Sequence, residues 1–197
     1  MNPLSAIMPR IDIAAGTIAG CPLTPRTLSQ MKDVFADAAS CARMLHSGDP
    51  LLYTVSTCVC GDGPGDLHCG LGVIHPGRVG DEYFMTRGHM HARRDAPELY
   101  IGLRGKGIML MQHEDGTGSS TAELTGECLV YVPGHTAHRT VNTGDDPLVY
   151  LGIYGADAGH DYEPVRTRNF SDVVVRRGDR PAVVARSAFI ASLTSHG

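Results

Sequence analysis

After Pro50 the chain becomes a succession of short apolar runs, each closed by a turn cluster. LLYTVSTCVC (51–60), LHCGLGVIH (67–75), EYFMTRGHMH (82–91), ELYIGLRG (98–105) and GIMLMQH (107–113) come first; CLVYVP (128–133), HRTVNT (138–143) and PLVYLGIYG (147–155) follow. Between them lie GDGPGD, HPGRVGD, RGKG, HEDGTGSS, VPGHT and TGDDP, which are turn-formers. Many short strands without intervening helices imply an all-β sandwich or barrel. A double-sheet jelly roll of this kind closes around a cavity whose mouth can hold a metal.

The flanks read differently. Residues 1–49 begin with apolar pieces broken by Pro3, Pro9, Gly16, Gly20 and Pro22, a pattern of a strand or two and turns. From Leu28 to His46 the spacing of Leu28, Met31 and Phe35, then Ala39, Ala42 and Leu45, predicts a helical segment ended by Gly48-Asp49-Pro50. Residues 161–197 hold two strand candidates, SDVVVRR and AVVARSAF, and thin into a tail beyond Ser187. The expectation is one domain, residues 1–197, with its core barrel at about 50–160.

A net charge of −4 and the lack of a basic run argue against nucleic acid as a partner. No apolar run is long enough to span a membrane, and the N-terminus lacks the pattern of a secretory signal, so a cytoplasmic protein is expected. The six cysteines then read as reduced thiols; Cys58 and Cys60 share a strand face but are too close in sequence for an easy bridge.

Chemistry concentrates in GHMHARRDAPELY (88–100). His89 and His91, two apart, project together from an extended strand. A turn at Asp95, Ala96 and Pro97 brings Glu98 back to the same place, and His138 opens a later strand. Three imidazoles and a carboxylate suit a divalent transition metal with open positions. In ELYIGLRG, Leu99, Ile101 and Leu103 alternate with Glu98, Tyr100 and Gly102; the apolar set is expected between the sheets, with Glu98 and Tyr100 on a cavity face.

The motifs GHxHxxxxxxE and PxxxxHRxxN resemble the two cupin motifs. HPGRVGDEYFMTRGHMH, ELYIGLRGKGIMLMQ, VYVPGHTAHRTVN and IYGADAGHDY narrow the resemblance to the cupin-type, metal-dependent phosphoglucose isomerases, over roughly residues 15–165. The resemblance implies a double-stranded β-helix, the cupin jelly-roll barrel. It also implies a metal held by His89, His91, Glu98 and His138, with Fe2+ the family expectation and Mn2+, Ni2+, Co2+ or Zn2+ admitted by the same ligands. Thr86, Gly88 and Tyr100 match positions that hold the substrate phosphate, and Tyr154 and His160 match residues near the sugar. Leu71 and Gly72 stand where the family carries threonines, which removes an expected phosphate donor. His135 stands where an aromatic residue often precedes the last ligand by three, and so either alters the sugar pocket or adds a stray metal contact.

The activity implied is interconversion of glucose 6-phosphate and fructose 6-phosphate through a metal-stabilised enediol. Glu98 is the candidate base, and His160 or Tyr154 the candidate acid or base for ring opening. A hydride shift would need no base. Two rivals share the motif: another cupin enzyme, such as a mannose-6-phosphate isomerase or a dioxygenase, and a non-catalytic sugar-binding cupin. Cupins often pair through edge strands, so a homodimer is expected.

Overall fold

The computed structural model describes residues 9–195; the opening residues 1–8 of the N-terminal segment lie outside that range. The chain starts with β1 (Ile11–Asp12), β2 (Thr17–Ile18) and β3 (Leu23–Thr27), then a 3-10 turn, Leu28–Gln30, and helix α1 (Ala38–Ser47). Next come β4 (Leu51–Val59), β5 (Leu67–Ile74), β6 (Arg78–Val79), β7 (Glu82–Tyr83), β8 (Glu98–Arg104) and β9 (Lys106–His113). β10 (Ser120–Thr125), β11 (Leu129–Val132), β12 (Thr136–Asn142) and β13 (Leu148–Gly155) complete the barrel. α2 (Glu163–Arg168), β14 (Asp172–Arg177), β15 (Arg180–Ala185) and α3 (Arg186–Thr194) follow.

The strands assemble antiparallel into a six-stranded sheet, β11-β8-β13-β5-β4-β3, and a three-stranded sheet, β10-β9-β12. A four-stranded sheet, β15-β14-β7-β6, joins the C-terminal strands to the short pair before the ligand segment. Leu52, Ile74, Tyr100 and Tyr150 from the large sheet meet Met109, Leu124 and Val141 from the smaller one in a single buried cluster. Two antiparallel sheets sharing one core are the expected all-β jelly roll.

Three local expectations need correction, and one strand lies outside every candidate run. The helix read from Leu28 to His46 is broken, because backbone N–H groups before Ala38 are claimed from outside. The buried Glu82 carboxylate accepts from Ala36 N at 2.6 Å and Asp37 N at 3.1 Å, and Asp37 then caps α1 by accepting from Ser40 N at 2.8 Å. The run EYFMTRGHMH is not one strand. Beyond β7 its ladder pairing with β12 is reduced to isolated bridges, Met85–Val141 and His89–His138, and it bends at Gly88, whose φ of +80° lies in the left-handed region. The segment 120–125, outside every candidate run, is strand β10; only Leu124 in it is buried, so it carries no apolar signal. The candidate strand AVVARSAF ends at Ala185, and the expected tail is α3, tied down by Phe189 packing on Val173 and Val175.

Glu82 gives a test of this frame. Glu82→Ala strands two buried N–H groups and should cost about 2–4 kcal/mol. Burial holds the Glu82 carboxyl above its ordinary range, against the pull of the Asp37 and Ala36 amides and of Arg186 and Arg139. Protonation therefore favours the folded state at low pH, and that contribution is lost as pH rises through the raised value. Glu82→Gln keeps an acceptor for both amides and loses the titration. Urea unfolding should show the wild type losing stability relative to this variant as pH rises; parallel pH profiles would contradict the assignment.

Candidate metal centre and substrate cavity

Three separate segments deliver the ligand set. His89 is locked to His138 by reciprocal backbone hydrogen bonds, 3.1 and 3.0 Å, which bring the bent segment 84–91 against β12. The turn at Ala96 returns the chain so that Glu98 opens β8, paired with Val132 on one side and Tyr154 on the other. The Nε2 atoms of His138, His91 and His89 lie 3.0, 3.2 and 3.7 Å from one oxygen, Glu98 Oε2. The four donor atoms all fall within 4.8 Å of one another.

Hydrogen bonding on the far side of the rings decides what this convergence means. His91 Nδ1 donates to Ala96 O at 2.8 Å, and His138 Nδ1 donates to Thr136 O at 3.2 Å. With the proton on Nδ1, each Nε2 presents a lone pair to the carboxylate, also a lone-pair donor. The Nε2 atoms of His89 and His91 are buried without a hydrogen-bond partner. Lone pairs aimed at one point repel unless a cation lies among them, and backbone acceptors fixing the tautomer are the usual support of metal-bound histidines. The residues therefore fit a divalent metal.

The electrostatics agree. Burial and the neighbouring His138 push His89 down to about 3, against the pull of Glu98, so it is neutral. Burial lowers His160 and raises Tyr154 to about 12. Tyr100 is raised by burial and by the charge of Glu98 beside it.

Beside the ligands opens a cavity of about 330 Å³, within the usual range for small-molecule sites. It is lined by every non-ligand residue that the resemblance places at the phosphate or the sugar: Thr86, Gly88, Tyr100, Tyr154 and His160. The His160 ring stands 4.4 Å from that of His89 and 5.1 Å from that of Tyr154. Thr86 Oγ1 accepts from Thr140 N at 3.1 Å, which leaves its hydroxyl hydrogen to donate. At Gly88 a Cβ would meet Phe170 at 2.8 Å and His138 O at 3.0 Å, so any side chain there would push the first ligand segment off β12.

Glu98 and Tyr100 face the cavity as expected, but the apolar set of β8 does not lie between the sheets. Glu98, Tyr100 and Gly102 form its buried face, whereas Leu99, Ile101 and Leu103 lie half-buried on the outer side of the sheet. The cavity face carries the polar chemistry, and the outer apolar set belongs in part to a second cluster with Ile18, Leu71, Val73 and Val149.

Sequence reasoning missed Arg26, Tyr53, Thr57 and Tyr150, which also line the cavity. Arg87 lines it too, but is clamped by Asp33 at 2.6 and 3.0 Å. Arg26 donates to the Pro25 carbonyl and makes no ion pair among the described residues, so it is the cavity cation free for an anion. Tyr150 explains Gly72. A Cβ on residue 72 would lie 2.3 Å from Tyr150 Cζ and 2.5 Å from its hydroxyl, so the phenol fills the space a threonine there would need. A register shift between Val149 and Tyr150 marks the bulge that turns this ring. Leu71 faces the outer cluster and leaves the cavity untouched. His135 is exposed and lies outside both the cavity lining and the ligand group. Neither the altered pocket nor the stray metal contact is found.

Residues 25–184 match the family described as glucose-6-phosphate isomerase. The glucose-6-phosphate isomerase of Pyrococcus horikoshii is 42% identical over 175 residues, covering 89% of this chain and 92% of that protein. That of Thermococcus litoralis is 40% identical over 174 residues, covering 88% and 91%. That of Pyrococcus furiosus is 39% identical over 175 residues, covering 89% and 92%. With its match to the family extending from β3 into β15, the chain belongs to the glucose-6-phosphate isomerase family.

Proposed function

We propose that the protein is an aldose–ketose isomerase that interconverts glucose 6-phosphate and fructose 6-phosphate at the His89, His91, Glu98 and His138 centre. The observation that carries the reading is the convergence of three imidazole Nε2 atoms on Glu98 Oε2 at the wall of a cavity lined by hydroxyl, phenol and guanidinium groups. His89, His91, Glu98 and His138 would hold a divalent ion there, and when bound it would supply Lewis-acid stabilisation of the negative charge that develops as the C–H proton leaves. Fe2+ is the ion we assign, with Mn2+, Ni2+, Co2+ and Zn2+ as alternatives the donors accept.

Glu98 takes the proton from one carbon and returns it to the next. Its two oxygens divide the work. Oε2 faces the imidazoles, while Oε1 lies over Gly152, where a Cβ would sit only 2.6 Å away. The bare glycine leaves that oxygen open to substrate. The phosphate is held by Thr86, Gly88 N–H, Tyr100 and Tyr150, with Arg26 supplying the positive charge that the net −4 of the chain does not. His160 and Tyr154, at the other side of His89, move the proton in ring opening.

Among the described residues no helix is long and apolar enough to cross a membrane, and the cysteines are free thiols. A cytoplasmic location fits both. The apolar residues Leu129 (62% exposed) and Tyr131 (59%) on edge strand β11 support a homodimer, as does the edge itself, and no nucleic-acid partner is assigned.

The test is a coupled assay of fructose 6-phosphate conversion before and after chelation. Chelation should remove at least nine-tenths of the activity, and one divalent metal should restore it. His138→Ala should lower metal content and turnover together. A fully metallated, active His138→Ala protein, or full activity after exhaustive chelation, would overturn the assignment.

A further inference from the structure

Behind the cavity wall lies a second group of potential ligands that the isomerase reading does not use. Cys58 and Cys60, two apart at the end of β4, project from the outer face of the six-stranded sheet, and Cys69 of β5 stands directly opposite Cys58 in the ladder. The three sulfurs all lie within 4.8 Å of one another, with Cys58 Sγ and Cys60 Sγ 3.8 Å apart. Cys58 is buried while Cys60 and Cys69 are half-buried, so the trio is reachable from solvent along one side. Ile18, Leu71, Val73 and Val149 surround it with apolar contacts.

The spacing is that of a thiolate metal site. With metal–sulfur bonds of about 2.3 Å, three sulfurs around a central ion stand about 4.0 Å apart in a plane. The Cys58–Cys60 separation of 3.8 Å already meets that distance, and the third sulfur lies within 4.8 Å of both. Soft sulfur ligands select soft ions. The group offers three donors and, among the described residues, no carboxylate or imidazole joins them within that radius. Structural zinc takes four ligands, whereas monovalent copper is satisfied by three. We infer that Cys58, Cys60 and Cys69 form a three-coordinate site for copper(I) on the outer face of the barrel. The ion enters as the thiols release their protons to solvent, with no change of oxidation state.

This site shares its strands with the active-site wall. Thr57 and Gly70, the chain neighbours of Cys58 and Cys69, line the cavity from the opposite face of the same two strands. The sheet itself separates the two groups of ligands, so each can be removed alone.

The experiment is anaerobic titration of the reduced protein with copper(I), supplied as its acetonitrile complex, against bicinchoninate as competitor. Mass measurement first checks that all thiols are free. Wild-type protein and His138→Ala should both retain one equivalent, with a thiolate-to-copper charge-transfer band and sulfur-only scattering in X-ray absorption. Cys58→Ser, Cys60→Ser and Cys69→Ser should each weaken retention at least tenfold, and Cys128→Ser should not. Three results would each overturn the site: equal retention by Cys60→Ser, no retention by the wild type, or a Cys58–Cys69 disulfide in protein purified anaerobically. Zinc(II) held with the same cysteine dependence and displacing copper(I) would overturn the three-coordinate assignment. Because His138→Ala is included, the outcome is independent of the isomerase reading.

Discussion

Glu98→Gln should lower kcat by about 10²–10⁴-fold, the usual loss when a positioned general base is removed. The substitution is nearly isosteric, and Gln keeps an oxygen at the position of Oε2, 3.0–3.7 Å from the three imidazoles. Metal content should therefore fall far less than turnover. That contrast separates a base from a ligand: loss of both in proportion would mean that Glu98 only holds the ion. A second readout addresses the mechanism directly. With Glu98 Oε1 carrying the proton between carbons in an open cavity, turnover in deuterated water should place solvent deuterium in the product. Wild-type turnover without any deuterium uptake, or near-normal kcat in Glu98→Gln, would assign the hydrogen transfer to a hydride shift and remove Glu98 from the base role.

How much of this was legible in the sequence differs with the kind of signal each element carries. The ligand set was legible because histidine at i and i+2 and a turn before Glu98 fix a local geometry that survives even though 82–91 is not a continuous strand. The apolar set of β8 is expected between the sheets and lies outside them for a definite reason, although Glu98 and Tyr100 face the cavity as expected. Alternation identifies two faces but does not say which one is buried, and here the polar face lines the cavity while Leu103 packs outward. The break in the 28–46 helix depends on Glu82, some forty-five residues away, reaching Ala36 and Asp37. Local periodicity cannot carry that information. Arg26, Tyr53 and Thr57 went unnoticed because they sit on the inward face of ordinary-looking strands and become neighbours of the site only when β3 and β4 complete the large sheet.

Tyr150→Phe should raise KM for the sugar phosphate about 10–100-fold while leaving kcat nearly unchanged. A lost hydrogen bond to a charged group is worth about 1.5–3 kcal/mol, and the phosphate is bound alike in ground and transition states. The side chain at 72 is where the family pattern places a hydroxyl, and the Tyr150 phenol occupies that volume. Its neighbours carry the same role: the Tyr100 ring lies 5.4 Å away, and the Thr140 N–H engages Thr86. Gly72→Thr alone should damage both folding and binding, since its Cβ would overlap the buried Tyr150 ring at 2.3 Å. Adding Tyr150→Leu shortens the obstructing side chain and moves the donor from β13 to β5. The double variant should therefore recover stability relative to Gly72→Thr and a lower KM than Tyr150→Leu alone. The control is a phosphate-free hexose, whose weak turnover should be indifferent to the Tyr150→Phe change. If Tyr150→Phe left KM unaltered, the phenol would be packing rather than an anion donor, and Gly72 would mark a phosphate contact that this chain has given up.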